Sequence, residues 1–220
     1  MTMNTESRKT LAARTVEELK KLYPDAVCSL TYKNPVQLLI AVRLSAQCTD
    51  ARVNLVTPVL FEKYPTLEAL CEATDGDIGE IIMPCGLFNT KARDIRQSAL
   101  MIRDEFGGSV PDSMEQLLRL PGVGRKTANL ILGDVYGKPA IVADTHCIRI
   151  AGRIGLTDGT KDPVKVERQL RECVEPDEGN DLCHRFVLFG RETCTARSPR
   201  CGGCPLRAFC AASPEKQSNH

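Results

Sequence analysis

No stretch of this sequence stays apolar for the roughly 18 residues that a membrane span requires. The opening MTMNTESRKT also lacks the hydrophobic core of a secretory signal. A membrane protein and a secreted miniprotein are therefore excluded, and the expected location is the cytoplasm. There is no internal repeat and no low-complexity tract. Net charge is almost missing too. Lys and Arg number 29 against 28 Asp and Glu, which leaves +1. As an average, that argues against a chain that coats itself in nucleic acid by bulk electrostatics. What is present is 220 residues, 42% hydrophobic and 26% charged. That suffices for a real core in one large or two small domains and is too apolar for a disordered tail.

Cysteine is the exception to this ordinary composition. Eleven residues are 5% of the chain, below the level of a disulfide scaffold, and the number is odd. Cys28, Cys48, Cys71, Cys85, Cys147, Cys173 and Cys183 are scattered singly among apolar neighbours and read as small buried hydrophobes. Cys194, Cys201, Cys204 and Cys210 instead crowd into 17 residues. With no export signal, a reducing compartment and a metal site suit these four better than disulfides.

The pattern is helical almost throughout. Ala12, Val16, Leu19 and Leu22 recur at helical spacing until Pro24. Asn34-Pro35 is an N-cap with proline at the first helical position, opening an apolar run to Leu44. Thr57-Pro58 repeats that signal, and Asp112 with Glu115 resembles a capping box. Further helices are expected over 91–106, 125–136, 163–174 and 181–189. Ala140-Ile141-Val142-Ala143 is the one respectable strand candidate, and a lone strand makes no sheet. The fold class is all-α. Gly107-Gly108 and Gly137-Lys138-Pro139 break the pattern, the second as a domain boundary. The last residues, with PEKQSNH among them, are polar and expected to fray.

Leu120-Pro121-Gly122-Val123-Gly124-Arg125-Lys126-Thr127 lies between two helical patterns. Its glycines let a ligand approach the main chain, and the N–H groups of the following helix form a phosphate site. The string resembles the helix–hairpin–helix motif, which grips DNA through its backbone. Lys126 is the second residue of the incoming helix, and Asp144 follows within Val142-Ala143-Asp144-Thr145-His146. Taken singly, the lysine reads as solvated and the aspartate as an N-cap. Together they allow covalent chemistry, in which a neutral lysine attacks and a carboxylate stabilises a sugar cation or shuttles protons. The Cys-x6-Cys-x2-Cys-x5-Cys spacing suits zinc and a [4Fe–4S] cluster equally.

LPGVGRKTAN, VADTH and the four spaced cysteines together resemble the endonuclease III family over nearly the whole chain. The resemblance implies a two-lobed helix–hairpin–helix DNA glycosylase fold with an iron–sulfur cluster loop. It places the nucleophile on Lys126 and the assisting aspartate on Asp144, and makes the metal group a [4Fe–4S] cluster on Cys194, Cys201, Cys204 and Cys210. The implied activity is removal of oxidised pyrimidines from duplex DNA through a lysine Schiff base, followed by β-elimination. The implied partner is double-stranded DNA with damaged bases or abasic sites, met by a monomer at the nucleoid. DNA contacts are expected from Gly122, Val123, Gly124 and Arg125 of the hairpin and from Arg197 and Arg200 of the basic cluster loop. Gln47, in Ser45-Ala46-Gln47, and Leu87 are the expected wedges that fill the gap left by a flipped base. Phe88 reads as core, and His146 either borders the pocket or simply packs.

One lobe would span 28–137, and the other would join 1–27 to 138–220 around the cluster. Two competing readings use the same residues. One is a monofunctional glycosylase acting on mispaired adenine or thymine, and the other a non-catalytic DNA-binding iron–sulfur protein. Lys126 decides the first, since related adenine glycosylases have no lysine there. Charge distribution supports a DNA-facing surface. Segments 119–153 and 185–216 each hold six Lys or Arg against two Asp or Glu, +4 apiece, which leaves −7 elsewhere.

Overall fold

The computed structural model describes residues 5–214, and every regular element among them is helical. Two compact units form, one from Cys28–Gly137 and the other from the chain on either side of it. The polar end expected to fray lies, from 215 onward, outside the described residues.

Helix α1 (Thr5–Leu22) is followed by the helices of the middle unit. Of these, α2 (Pro35–Ser45) begins where the sequence indicates. The Asn34 side chain accepts the Gln37 N–H at 3.0 Å, and Pro35 occupies the first turn. Leu38, Leu39, Ile40, Ala41, Val42 and Leu44 are all buried, so α2 is apolar nearly all round and serves as the core helix of its unit. Around it pack α3 (Asp50–Lys63), α6 (Phe88–Glu105) and α8 (Arg125–Asp134). Between these in the chain, α4 (Leu67–Glu72) and α5 (Asp75–Ile82) lie against α6, and α7 (Met114–Leu117) leads toward α8.

Two expected helix starts are displaced. Thr57-Pro58 lies inside α3, whose N-cap is Thr49. Pro58 faces solvent, where water can serve the carbonyl that its missing N–H leaves unpaired. The capping pair of α7 is Ser113 with Gln116, not Asp112 with Glu115. A one-residue shift is enough to present the buried Leu117 to the core.

The other unit contributes α9 (Thr145–Ile154), α10 (Pro163–Arg171) and α11 (Gly179–Glu192). Cys147, Ile150, Ala151 and Ile154 make a buried stripe on α9, which packs on α11. The Leu11, Ala12, Val16 and Leu19 face of α1 is buried as well, and α1 also packs on α11. Residues 140–143 are buried but form no strand, and the run ends in a tight turn in which the Asp144 N–H donates to the Val142 carbonyl at 2.8 Å. With no second strand to pair, the Val142 N–H donates to the Cys183 sulfur at 3.2 Å. Of the seven scattered cysteines, Cys71, Cys85, Cys147, Cys173 and Cys183 are buried, while Cys28 and Cys48 are half-buried.

Burial pushes the Cys28 thiol up to about 12 and, with Cys48 beside it, the Cys85 thiol to about 11, from an ordinary value of 9.0. The unfolded chain therefore releases these protons at lower pH than the folded one. The folded state binds more protons across that window, so its stability falls as pH rises. Urea titrations should show a declining unfolding free energy between about pH 9 and about pH 11. Cys28→Ala should flatten the slope by up to about 1.4 kcal/mol per pH unit. The buried Lys91 ammonium, pulled below its ordinary range mainly by desolvation, titrates against this trend. The difference between wild type and Cys28→Ala isolates the thiol, and an unchanged slope would remove Cys28 from the account.

Candidate functional site

The loop between α7 and α8 is pinned from beneath. Leu117, Leu120 and Val123 are buried anchors, and the Val123 N–H donates to the Leu120 carbonyl at 3.1 Å. Val123 thus holds the turn, with its side chain inside. Ser98 Oγ donates to the Pro121 carbonyl at 3.1 Å. Gly122 has φ +72°, and a Cβ there would run into Arg43 Nε and Asp94 Oδ2. Those two groups form a largely buried ion pair, with Nε and an Nη of Arg43 donating to Oδ2 at 2.9 and 2.7 Å. Only a residue without a side chain lets the loop sit down on this pair.

Gly124 is the N-cap of α8 and supplies no side-chain cap. The first-turn N–H groups therefore point from an end that no side chain closes, as an anion site requires. Arg125 and Lys126 follow as the first two residues of α8, both exposed.

Asp144 belongs to the other unit and caps α9. Its Oδ1 accepts the Cys147 N–H at 2.7 Å, and its backbone N–H donates to Val142 at 2.8 Å. The cap fixes the carboxylate's orientation through Oδ1, so an N-cap and a reacting carboxylate are compatible roles for one side chain. His146 is a packed residue. Its Nδ1 lies 3.1 Å from an Nη of Arg149, and both groups sit where a side chain on Gly190 would otherwise stand.

Cys194 follows Thr193, the C-cap of α11, Cys201 opens a 3-10 turn ending at Gly203, and Cys204 and Cys210 complete the set. None is in a disulfide. All four line one cavity of about 220 Å³, with Ile154, Phe189 and Leu206 among its apolar walls. Among the described residues, no three His, Cys, Asp or Glu side chains are gathered as ligands of one metal ion. Four thiols around one cavity fit a [4Fe–4S] cluster, which these residues would hold. Burial and the three neighbouring thiols push the Cys204 thiol up, a repulsion that a cationic core would relieve. Arg153 fixes the loop by donating to the carbonyls of Thr195 at 2.7 Å and Ala196 at 2.8 Å. Arg149 donates to that of Cys194 at 3.1 Å. Arg197 and Arg200 are exposed on the same loop.

Gln47 and Leu87 share an unusual backbone. Among the described residues they are the two non-glycine positions with positive φ, at 55° and 50°. Both are exposed, while Phe88 is half-buried rather than fully in the core. Behind them lies a row of buried polar side chains. Lys91, Asp94 and Ser98 recur at helical spacing along the buried face of α6, interrupting the stripe formed by Ala92, Ile95, Ala99 and Ile102. Polar residues at i, i+3 and i+7 inside an apolar stripe are the signal that could have revealed them.

The family model for the HhH-GPD superfamily of base excision DNA repair proteins matches residues 40–176. The model for the iron–sulfur binding domain of endonuclease III matches residues 194–210, the span from the first to the last clustered cysteine. The chain is 47% identical to the endonuclease III of Synechocystis sp. over 209 residues, 94% of each chain. It is 40% identical to that of Bacillus subtilis, covering 89% of each. A solved structure of a trapped covalent endonuclease III–DNA intermediate superposes with a TM-score of 0.88 at 40% identity, covering 95% of this chain and 98% of the other. Agreement of this extent in sequence, fold and cluster loop has one meaning: the chain belongs to the endonuclease III family, the iron–sulfur DNA glycosylase/AP lyases of base excision repair.

Proposed function

We propose that Lys126 is the nucleophile of this enzyme and Asp144 its assisting carboxylate. The observation that carries the assignment is an exposed lysine on the second residue of α8, directly behind an uncapped, glycine-built helix start. A flipped nucleotide whose phosphates rest on that helix end would bring its sugar to the lysine. The unprotonated Nζ attacks C1′, a C–N bond forms, and the glycosidic bond breaks with the base leaving as it gains a proton. The sugar ring then opens to a Schiff base. Removal of a C2′ proton drives β-elimination, which breaks the bond to the 3′ phosphate oxygen and nicks the strand. Water finally hydrolyses the Schiff base and frees Lys126. The Asp144 carboxylate offsets the positive charge that develops on the sugar as the base departs.

The substrates we assign are oxidised pyrimidines in duplex DNA, met by a monomer at the nucleoid of the cytoplasm. Gly122, Gly124 and Arg125 would receive phosphates at the hairpin, with Val123 shaping the turn, and Arg197 and Arg200 would add contacts from the cluster loop. Gln47 and Leu87 would enter the gap left by the flipped base. Residues 28–137 act as a helical bundle domain, and 1–27 with 138–220 as the iron–sulfur domain. When bound, the cluster cross-links Cys194, Cys201, Cys204 and Cys210 and so keeps the basic loop in shape.

Borohydride reduction tests the nucleophile. Wild type should become covalently attached to abasic DNA, whereas Lys126→Gln should bind that DNA and give no adduct. An adduct that survives in Lys126→Gln would move the Schiff base to another lysine. Asp144 separates into two roles by substitution. Asparagine caps as well as aspartate, so Asp144→Asn should keep its melting temperature yet excise bases about 10²-fold or more slowly. Asp144→Ala should in addition lose about 1 kcal/mol of stability. Equal activity in wild type and Asp144→Asn would leave the cap as its whole function. For the cluster loop, Arg197→Ala and Arg200→Ala should each lower the slope of log affinity against log salt by about one. A slope that stays at the wild-type value marks that arginine as solvated.

A further inference from the structure

Lys91 is fully buried, at 0% exposure, and its ammonium faces carbonyl groups rather than a carboxylate. Nζ donates to the carbonyls of Leu44 and Ala46 at 2.8 Å and of Cys85 at 2.9 Å. An ammonium has three protons, and each finds one acceptor. The acceptors come from two segments that are distant in sequence. Leu44 and Ala46 are at the C-terminal end of α2, where carbonyls lack helical partners and a positive charge is favoured. Cys85 ends the short 3-10 turn that precedes α6. Gln47 follows the first segment immediately, and Leu87 stands two residues beyond Cys85. These are the two exposed residues held in left-handed backbone, at φ 55° and 50°, a conformation that side chains other than glycine adopt only when their surroundings impose it.

We propose that Lys91 is a positioning residue for the repair reaction, a clamp whose single ammonium fixes both loops and so presents Gln47 and Leu87 to the duplex as one paired wedge. The inference rests on the reading of those two residues as gap fillers, and it adds what holds them in register. A neutral side chain at 91 would leave three carbonyls without a donor and free the loops to move independently. Lys91 touches neither the sugar nor the base in this scheme, so the chemistry at Lys126 stays outside its reach.

The test compares Lys91→Met, Lys91→Arg, Gln47→Ala and Leu87→Ala on two probes. One is a duplex carrying an abasic site opposite 2-aminopurine, whose fluorescence reports entry of the wedge. The other is a single strand carrying the same abasic site, where no stack has to be opened. Lys91→Met should lose the fluorescence change and nick the duplex at least about tenfold more slowly relative to the single strand. Lys91→Arg, which keeps the charge and several donors, should recover a large part of both. Equal loss on the two probes would mean that Lys91 only holds the fold together, and an unaltered fluorescence change would equally overturn the clamp. Wild-type signals from both Gln47→Ala and Leu87→Ala would overturn the wedge reading itself, and the clamp with it. Should Lys91→Met yield no folded protein, hydrogen exchange of the wild type decides. The Cys48 and Gly86 amides, one in each loop and each hydrogen-bonded within it at 3.1 Å, should open at one common rate. Independent rates would refute a shared clamp.

Discussion

A buried ammonium is stable only when each of its protons has an acceptor, and in the middle unit this requirement organises the surface. Lys91 meets it with carbonyls from two loops. One and two turns further along α6, the same face sends Asp94 to Arg43, and Ser98 to the carbonyl of Pro121. Three polar side chains on one helix thus support the segments that carry Gln47, Leu87 and the hairpin. None of the three needs to touch a ligand. Their effect is to convert the rigidity of a well-packed helix into fixed positions for loops whose own backbones are strained or glycine-built.

The other unit solves a comparable problem with arginines. The segment after α11 has little regular structure and few apolar residues, so hydrophobic burial alone cannot shape it. Arg149 and Arg153, on successive turns of α9, donate to the carbonyls of Cys194, Thr195 and Ala196, and the Ala212 N–H donates to the Arg153 carbonyl at 2.9 Å. The protein thereby brings its four sulfurs around one cavity through main-chain contacts. A cluster held by Cys194, Cys201, Cys204 and Cys210 would reinforce that path.

The features legible in the sequence are those whose physics is local. Asn34-Pro35 starts α2 because a cap and a fixed φ act within one turn. The hairpin glycines and the cysteine spacing are equally self-contained. Pro58 misleads because an exposed helix face tolerates a missing N–H, and exposure is a property of packing, not of the dipeptide. Asp112 and Ser113 are both competent caps, and which is used depends on where Leu117 must point. The run 140–143 has strand-forming residues but no partner strand among the described residues, a lack that no window of sequence displays. Lys91 shows the limit most clearly. Its acceptors lie 6, 45 and 47 residues away, so the polar row along α6 can mark it as buried but cannot say what it holds. The candidate site was visible as a set of reacting and ligating residues. What holds those residues in place was not.

The unit built from the chain on either side of 28–137 is discontinuous, which sets the order in which its parts become structured during synthesis. Helix α1 precedes the middle unit in the chain, yet α11, on which α1 packs, emerges only after the whole of Cys28–Gly137 has been translated. The central unit can complete its core as one uninterrupted stretch. Leu11, Val16 and Leu19 meanwhile remain without that cover, and at the ribosome's ~5–20 residues per second the interval lasts many seconds. The apolar face of α1 therefore waits for its partner while the middle unit is translated. Charged residues crowd the remaining faces of α1, among them Arg8, Lys9, Arg14, Glu17, Glu18, Lys20 and Lys21, and charge of this density opposes association through the uncovered stripe.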